Sequence, residues 1–271
     1  MSVQSLTQHV ALTGDNRAMR VSPLGPTLPI RAPATLRHTG HIESGVKEAS
    51  DLCLMADGRF LVVSDTETTL SIVSLLGKVE DVSLDHLDTP SELEAVTYDA
   101  IDNRLFVVRE EASVLERYSF SGKGVATFEK SFPLSLGGPK NKGIEGACFL
   151  PGVGLLLAKE GKPKQLLLLA ESGKGAPVVL TVDPRILAAC GDFSGLAFDP
   201  VSRHLFICSQ ESACLVEATI DGNGATFLMQ SDLVDAKGKS LKRVEGIAVG
   251  MDGTVFALTE NDGKIHTFRR A

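Results

Sequence analysis

Short apolar runs recur along this chain, separated by little more than Gly, Asn, Asp and an acidic residue at the edge of each run. Residues 243–270, RVEGIAVGMDGTVFALTENDGKIHTFRR, show the plan in full. An acid precedes one apolar run, a turn follows at Asp252-Gly253, a second run ends in acid, and another Gly turn leads to a third run. Four earlier segments repeat it. The residue before the first run is Ser50, Glu94, Glu145, Ser194 and Glu245 in turn, at spacings of 44–51 residues. The residue closing the second run is Asp65, Glu110, Glu160, Gln210 and Glu260, at spacings of 45–50 residues. Leu70, Leu115, Gln165, Leu215 and Ile265 mark a third run, and Gly77, Gly122, Gly173 and Gly222 open a turn before a fourth. Runs this short, bounded by turn residues, read as β-strands.

A four-strand unit repeating every ~40–50 residues is the pattern of a propeller blade. Second runs such as LFVV, LLLA and LFIC scarcely alternate, as expected of strands covered on both faces by stacked blades. The fifth unit reaches Ala271 without a fourth strand, and residues 34–42 (ATLRHTGHI) have the length and partial alternation to supply it. Pairing the two ends would remove the exposed edges of a broken ring. The expectation is an all-β, five-bladed β-propeller over residues 34–271, with the N-terminal strand closing the last blade. A lead-in, residues 1–33, comes before it, and its proline-rich part SPLGPTLPIRAP is extended. Hairpin turns fall at Asp57-Gly58, Asp102-Asn103, residues 152–154 and Asp252-Gly253. DPRILAACGD (183–192) makes one or two helical turns. With no Trp and two Tyr, the tryptophan–aspartate type of repeat is excluded.

Composition narrows the partners. The net charge is −7 and no block of Lys or Arg stands out, which argues against nucleic acid and against anionic membrane surfaces. No run approaches the ~20 apolar residues of a spanning helix, so no membrane insertion is expected. The start MSVQSLTQHVALTGD lacks a secretory pattern. The chain as it stands reads as cytoplasmic, or as periplasmic if an export signal has been removed. Its five cysteines have no CxxC spacing. Cys53 and Cys148 share one first-strand position, and Cys208 stands where other units have Val63, Val108 and Leu258. They read as small buried hydrophobes in a reducing compartment.

In a blade the first strand leads away from one face and the second returns to it. All ten edge positions therefore meet at one mouth of the central channel. Seven of the ten are acids, with Lys47, Arg109, Lys142, Lys159, Lys242 and Arg243 interleaved. Carboxylates so crowded repel unless paired or metal-bound, and two solutions are open. In one, Arg109 and Lys159 neutralise neighbouring glutamates. In the other, Asp65, Glu145, Glu160, Glu245 and Glu260 hold a hard divalent cation such as Ca²⁺. Glu94, Glu110, Lys142, Ser194 and Arg109 are candidates to bind a small-molecule or peptide ligand at the mouth. Ser194, in DFSGL, is not a nucleophile elbow and reads as a hydrogen-bonding channel residue. GGPKNKG (137–143) lacks the Walker spacing and reads as an exposed loop in which Lys142 would meet an anion. The six histidines have no zinc-ligand spacing.

At NKGIEGACF (141–149), DFSGLAFDPVSRHLFICSQES (192–212) and VEGIAVGMDGTVFALTE (244–260), the sequence resembles the SdiA-regulated, YjiK-like family of β-propellers, and residues 48–268 fit its pattern. The resemblance implies a bacterial propeller related to phytase-like and esterase-like propellers, some of which bind Ca²⁺ at the axial mouth. Glu145 and Glu245 match the family's Glu-Gly acids, and Glu160 and Glu260 its hairpin-end acids. Two departures stand out: Gln210 replaces an acid common in the family, and members are often exported.

Three functions are compatible with this reading. The first is a propeller that binds a small ligand, with Ca²⁺, at the acidic mouth. The second is a metal-dependent hydrolase of phosphoesters, esters or lactones, with Glu145 as base and Lys159 or Lys142 holding an anion. The third is a protein-interaction scaffold.

Overall fold

A computed structural model describes residues 34–270 except 88, 90, 135, 137–142, 171, 173 and 174. The lead-in expected over residues 1–33 and the candidate Lys142 lie outside the described residues. Apart from one short helix, everything regular is β. Strand β1 (Leu36–Glu43) precedes five successive strand units. Unit one is β2 (Ala49–Leu54), β3 (Phe60–Ser64), β4 (Thr69–Val73) and β5 (Val79–Leu84). Unit two is β6 (Leu93–Asp99), β7 (Arg104–Arg109), β8 (Val114–Ser119) and β9 (Val125–Pro133). Unit three is β10 (Ile144–Leu150), β11 (Gly154–Lys159), β12 (Gln165–Ala170) and β13 (Val178–Val179). In unit four, β14 (Thr181–Val182) and helix α1 (Pro184–Ala189) lead into β15 (Gly195–Asp199), β16 (His204–Ser209), β17 (Cys214–Ile220) and β18 (Gly224–Asp232). Unit five is β19 (Val244–Val249), β20 (Val255–Thr259) and β21 (Lys264–Arg270).

Within units one to four the four main strands pair antiparallel in chain order, as do β19, β20 and β21 in unit five, while β14 lies at the outer edge of unit four, parallel to β18. The fourth place in unit five is taken by β1, which pairs antiparallel with β21 from Leu36↔Arg270 to Glu43↔Lys264. It runs one residue beyond the expected 34–42 segment and starts two later. The first strands touch in cyclic order, β2 with β6, β6 with β10, β10 with β15, β15 with β19, and β19 with β2. They therefore surround a common axis, and the chain has a β-propeller architecture.

Five apolar clusters hold the units together, each shared by two consecutive units, with the last joining unit five to unit one. Alternation within the second strands makes this possible. Leu61 and Val63 pack towards unit two, while Phe60 and Val62 pack towards unit five. A strand apolar at every position serves both interfaces, which is why these runs do not alternate. The expected turns carry the positive φ that a tight hairpin requires, at Gly58 (85°), Asn103 (53°), Gly152 (72°) and Gly253 (84°). The expected helical turns are α1, with the Asp183 side chain capping the Arg185 N–H and Pro184 in the first turn.

Near the axis the first strands approach too closely for side chains. A Cβ on Gly146 would lie 2.8 Å from Gly195 Cα, and one on Gly246 would lie 2.7 Å from Leu52 N. The neighbour in each case is backbone on the next unit, which has no rotamer with which to yield. Gly146→Ala is therefore expected to destabilise the fold by about 1–3 kcal/mol, the usual cost of overpacking, read as a lower midpoint in chemical denaturation. An unchanged midpoint would show that the ring has slack at this position.

Candidate functional site

One local device aims the acids. In four units the first strand loses register with the second at its opening residue. The shifts fall between Ala49 and Asp51, Leu93 and Ala95, Ile144 and Gly146, and Val244 and Gly246. The residues skipped are Ser50, Glu94, Glu145 and Glu245. A bulge leaves its extra residue unpaired and redirects the side chain, here towards the axis. Two residues earlier, Glu48, Glu92 and Arg243 adopt positive φ of 44°, 44° and 53°, bending the chain into the strand. The carbonyls of Glu48, Glu92, Gly143 and Arg243 then accept the N–H groups of Asp65, Glu110, Glu160 and Glu260 at 3.0–3.3 Å. Both edge positions of a unit are thus fixed to one short loop.

The result is a polar cavity of about 180 Å³ at one mouth of the channel. It is lined by Ser50, Asp65, Glu94, Glu145, Glu160, Asp192, Ser194, Gln210, Arg243, Glu245 and Glu260. Nine of the ten edge positions read from the sequence line it. The tenth, Glu110, stands beside it: its Oε1 accepts the Gly143 N–H at 2.9 Å, and its charge reaches Glu94 and Glu145.

Two expected residues are elsewhere. Arg109 turns away from the axis, donating to Glu116 Oε1 at 2.9 Å and to Ser91 Oγ at 3.1 Å. Lys159 is fully buried, with Nζ 3.5 Å from Gly161 O. Each immediately precedes an edge acid, and strand alternation sends consecutive side chains to opposite faces. If Glu110 and Glu160 face the mouth, Arg109 and Lys159 cannot. Neither neutralises the cavity.

Two lining residues had not been singled out as site residues. Asp192 accepts Ser209 Oγ–H at 2.5 Å and the Glu211 N–H at 3.1 Å. Its signal was its register, two residues before Ser194, where other units carry Glu48, Glu92 and Arg243. Arg243 is the one cation among the lining residues, and it pairs with Glu260. Gln210 donates its amide to Glu245 Oε1, and Ser194 Oγ is spent on Val244 O at 2.7 Å, which fits a hydrogen-bonding role for Ser194.

Seven carboxylates facing one guanidinium have a measurable consequence. Burial, followed by the charges of Glu94, Glu110, Glu160 and Glu245, pushes the Glu145 carboxyl up to about 10. Burial and the neighbouring acids raise Glu94 to about 8. Glu245 is also raised to about 8, by burial and Glu260, although Arg243 opposes the shift. Asp65 and Glu260 move in the same direction, with burial the largest cause. The donors are carboxylate oxygens, the type that Ca²⁺ takes. As the side chains stand, no group of three or more His, Cys, Asp or Glu among the described residues is placed to hold a metal ion. No helix of the described residues is long and apolar enough to cross a membrane.

The fold and this cavity together define a β-propeller with an acidic axial mouth. A sequence model of the SdiA-regulated family matches residues 39–262, and the chain belongs to that family. Among solved structures it is similar to the PQQ-bound aldose sugar dehydrogenase of Streptomyces coelicolor, at 13% identity and a TM-score of 0.58, over 89% of this chain and 99% of that one. It is also similar to a gluconolactonase of Xanthomonas campestris, at 12% identity and a TM-score of 0.55, over 93% and 89% of the two chains. Nidogen, in its complex with laminin, matches at 13% identity and a TM-score of 0.53, over 79% of this chain and 72% of that one. At these identities the likeness is one of fold.

The raised carboxyls make stability depend on pH. Their folded-state values stand above the ordinary 4.5, so the folded chain keeps protons that the unfolded chain releases. Their contribution is complete below pH 4.5 and is lost as pH rises through 8 to 10. His266, depressed to about 4 by burial and by His38, acts in the opposite sense, but only below its ordinary 6.5. Without added cations, the melting midpoint is therefore expected to fall between about pH 7 and about pH 9. Glu145→Gln should flatten the fall and melt above the parent at the alkaline end, by about 2–4 °C for each kcal/mol regained. Parallel curves for the two proteins would show that Glu145 ionises without strain.

Proposed function

We propose that residues 34–271 form a single five-bladed propeller whose axial cavity binds a small cationic ligand, Ca²⁺ foremost. The five-blade reading is supported by the cyclic contacts of five first strands and by the pairing of β1 with β21. The observation that carries the binding reading is the crowding of acids: seven carboxyls line the cavity, and burial and their mutual repulsion raise Glu145 to about 10. A cation entering the cavity would relieve that repulsion, favour the ionised carboxylates and displace their protons. Glu94, Glu145 and Glu245 are the residues we assign to it, with Asp65, Glu160 and Glu260 around them. Since no three acids among the described residues are already placed to hold a metal ion, the cation would have to draw carboxylates inwards, which favours Ca²⁺, whose coordination is flexible, over the stricter octahedron of Mg²⁺.

Hydrolysis of an ester or lactone is a second reading. It is favoured by a buried carboxyl, Glu145, whose proton affinity a bound cation would lower to that of a usable base. The gluconolactonase of similar fold makes lactones the first substrates to try. Lys159 has no part in this version, because its ammonium lies outside the cavity.

Thermal melts after EDTA treatment, repeated with Ca²⁺, Mg²⁺, Mn²⁺ and the diamine putrescine, test the binding reading. A ligand that binds only the folded chain raises the midpoint by mass action. Ca²⁺ should give the largest rise, the rise should grow with pH as protons cease to compete, and Glu145→Gln should diminish it. A rise with putrescine alone would replace the metal by an organic ammonium, and flat melts with all four would overturn the reading. Turnover of a lactone that is lost in Glu145→Gln, with folding intact, would promote the second reading.

A further inference from the structure

Away from the acidic mouth, three of the six histidines meet on the strands that close the ring. His38 and His41 belong to β1 and His266 to β21, and all three line an open cavity of about 560 Å³ beside the 235–242 segment. Three residues apart, His38 and His41 would point to opposite faces of a regular strand. The register shift between His38 and Gly40 inserts Thr39 as an extra residue and removes that mismatch. His41 then stands opposite His266, and His38 opposite Phe268, two residues further along the same face of β21. Both rings lie against that of His266, with centroids 5.3 Å and 5.9 Å away. The bulge gathers three imidazoles on one face.

Their spacing suits a metal. His38 Nε2 lies 3.1 Å from His266 Nδ1. Two imidazole nitrogens on one zinc ion, each bound at ~2.0–2.1 Å, stand about 2.9 Å apart at a right angle and about 3.3 Å apart at the tetrahedral angle. The observed separation falls between the two. A neutral imidazole carries its proton on either nitrogen, so a change of tautomer frees the lone pairs of both facing nitrogens. As the side chains stand, three ligands do not yet converge. His41 is the one that has to turn. Its side chain is 43% exposed and is held by Glu43 Oε1, 3.1 Å from its Nε2. Asp235 and Asp262 add negative charge to the cavity wall. Of the lysines there, Lys264 is paired with Asp262 at 3.1 Å, while Lys237, Lys239 and Lys242 are exposed, where solvent and salt screen their charge.

We propose that His38, His41 and His266 bind a divalent first-row transition ion, Zn²⁺ being the example tested, which fastens β1 to β21. Imidazole nitrogen suits such ions, whereas Ca²⁺ takes oxygen ligands, so this site and the acidic mouth select different metals. Water completes the coordination. His38 and His266 are 228 residues apart in the chain and meet only when the ring is closed. The ion therefore binds the folded chain and holds the closing seam together.

The test titrates Zn²⁺ into the full chain, labelled with ¹⁵N at histidine, and follows the imidazole nitrogens by NMR at neutral pH. The ring nitrogens of His38, His41 and His266 should shift, while those of His86 and His204 stay in place, and this reading of the parent protein needs no variant. Zn²⁺ affinity from calorimetry should fall at least about tenfold in His38→Gln and in His41→Gln. It should hold at the parent value in Glu145→Gln, which alters only the acidic cavity. Thermal melts without metal establish that each variant is folded. Zn²⁺ that shifts none of the three rings would overturn the proposal, as would parent affinity in either histidine variant. Binding lost in Glu145→Gln but kept in His38→Gln would overturn it too, by assigning the ion to the acidic cavity.

Discussion

Everything at the mouth of this channel follows from how closely the first strands of the units approach one another. Around the axis, Gly146 and Gly246 face the backbone or side-chain stem of the next unit at distances that leave no room for a Cβ. Such an approach is tolerable only if the residue just before it is steered out of the packed layer. The register shifts at Ser50, Glu94, Glu145 and Glu245 do this. The Glu-Gly pair that recurs in the sequence is thus one structural unit: the glycine lets neighbouring strands meet, and the bulged residue before it is left facing the acidic cavity. Ring closure by β1 on β21 goes with the same close approach between units five and one, where Gly246 meets Leu52.

Asp51 shows what happens when the glycine of that pair is replaced. It occupies the Gly146 position in unit one, is fully buried, and accepts the Val96 N–H at 3.0 Å while its other oxygen has no hydrogen bond. Burial pushes its carboxyl well above the usual range, and Glu94 and Glu245 add to the shift. A neutral Asp51 bonded to the next strand fits the ring, whereas an ionised one would add charge to a wall that already faces too many acids. The acidic character of the mouth therefore extends into the packed layer beneath it.

Much of this was legible in the residues. The spacing of edge positions gave the repeat, the missing fourth strand pointed to residues 34–42, and nine edge residues meet in one cavity as their positions implied. What the spacing left out was side-chain direction. Arg109 and Lys159 are adjacent to edge acids in the chain, yet strand alternation sends them into the inter-unit packing, where Glu116 and Ser91 hold Arg109. Asp192 escaped notice because the repeat was anchored two residues later, on a residue that varies between Ser and Glu.

The distribution of charge around the ring bears on what kind of ligand suits it. An inherited repeat would leave acids wherever the ancestral unit had them, with each unit making its own compensation. Arg243 pairs with Glu260, Gln210 donates to Glu245, and Ser194 closes onto Val244 O, so units four and five carry internal partners. Units two and three place Glu94, Glu110, Glu145 and Glu160 side by side, where the Ser50 hydroxyl bonds to Glu94 and the Gly143 N–H to Glu110. Glu145 stands at the middle of that arc, and its carboxyl is raised furthest of the three glutamates, to about 10 against about 8 for Glu94 and Glu245. The placing of Gln210 and Arg243 in units four and five, away from Glu94 and Glu145, orients a ligand: its positive charge belongs against units two and three, and its hydrogen-bonding groups against units four and five. A bare ion answers only the first demand, so on the proposed reading a cation at Glu94 and Glu145 leaves Gln210 and Arg243 to meet whatever polar molecule it brings with it.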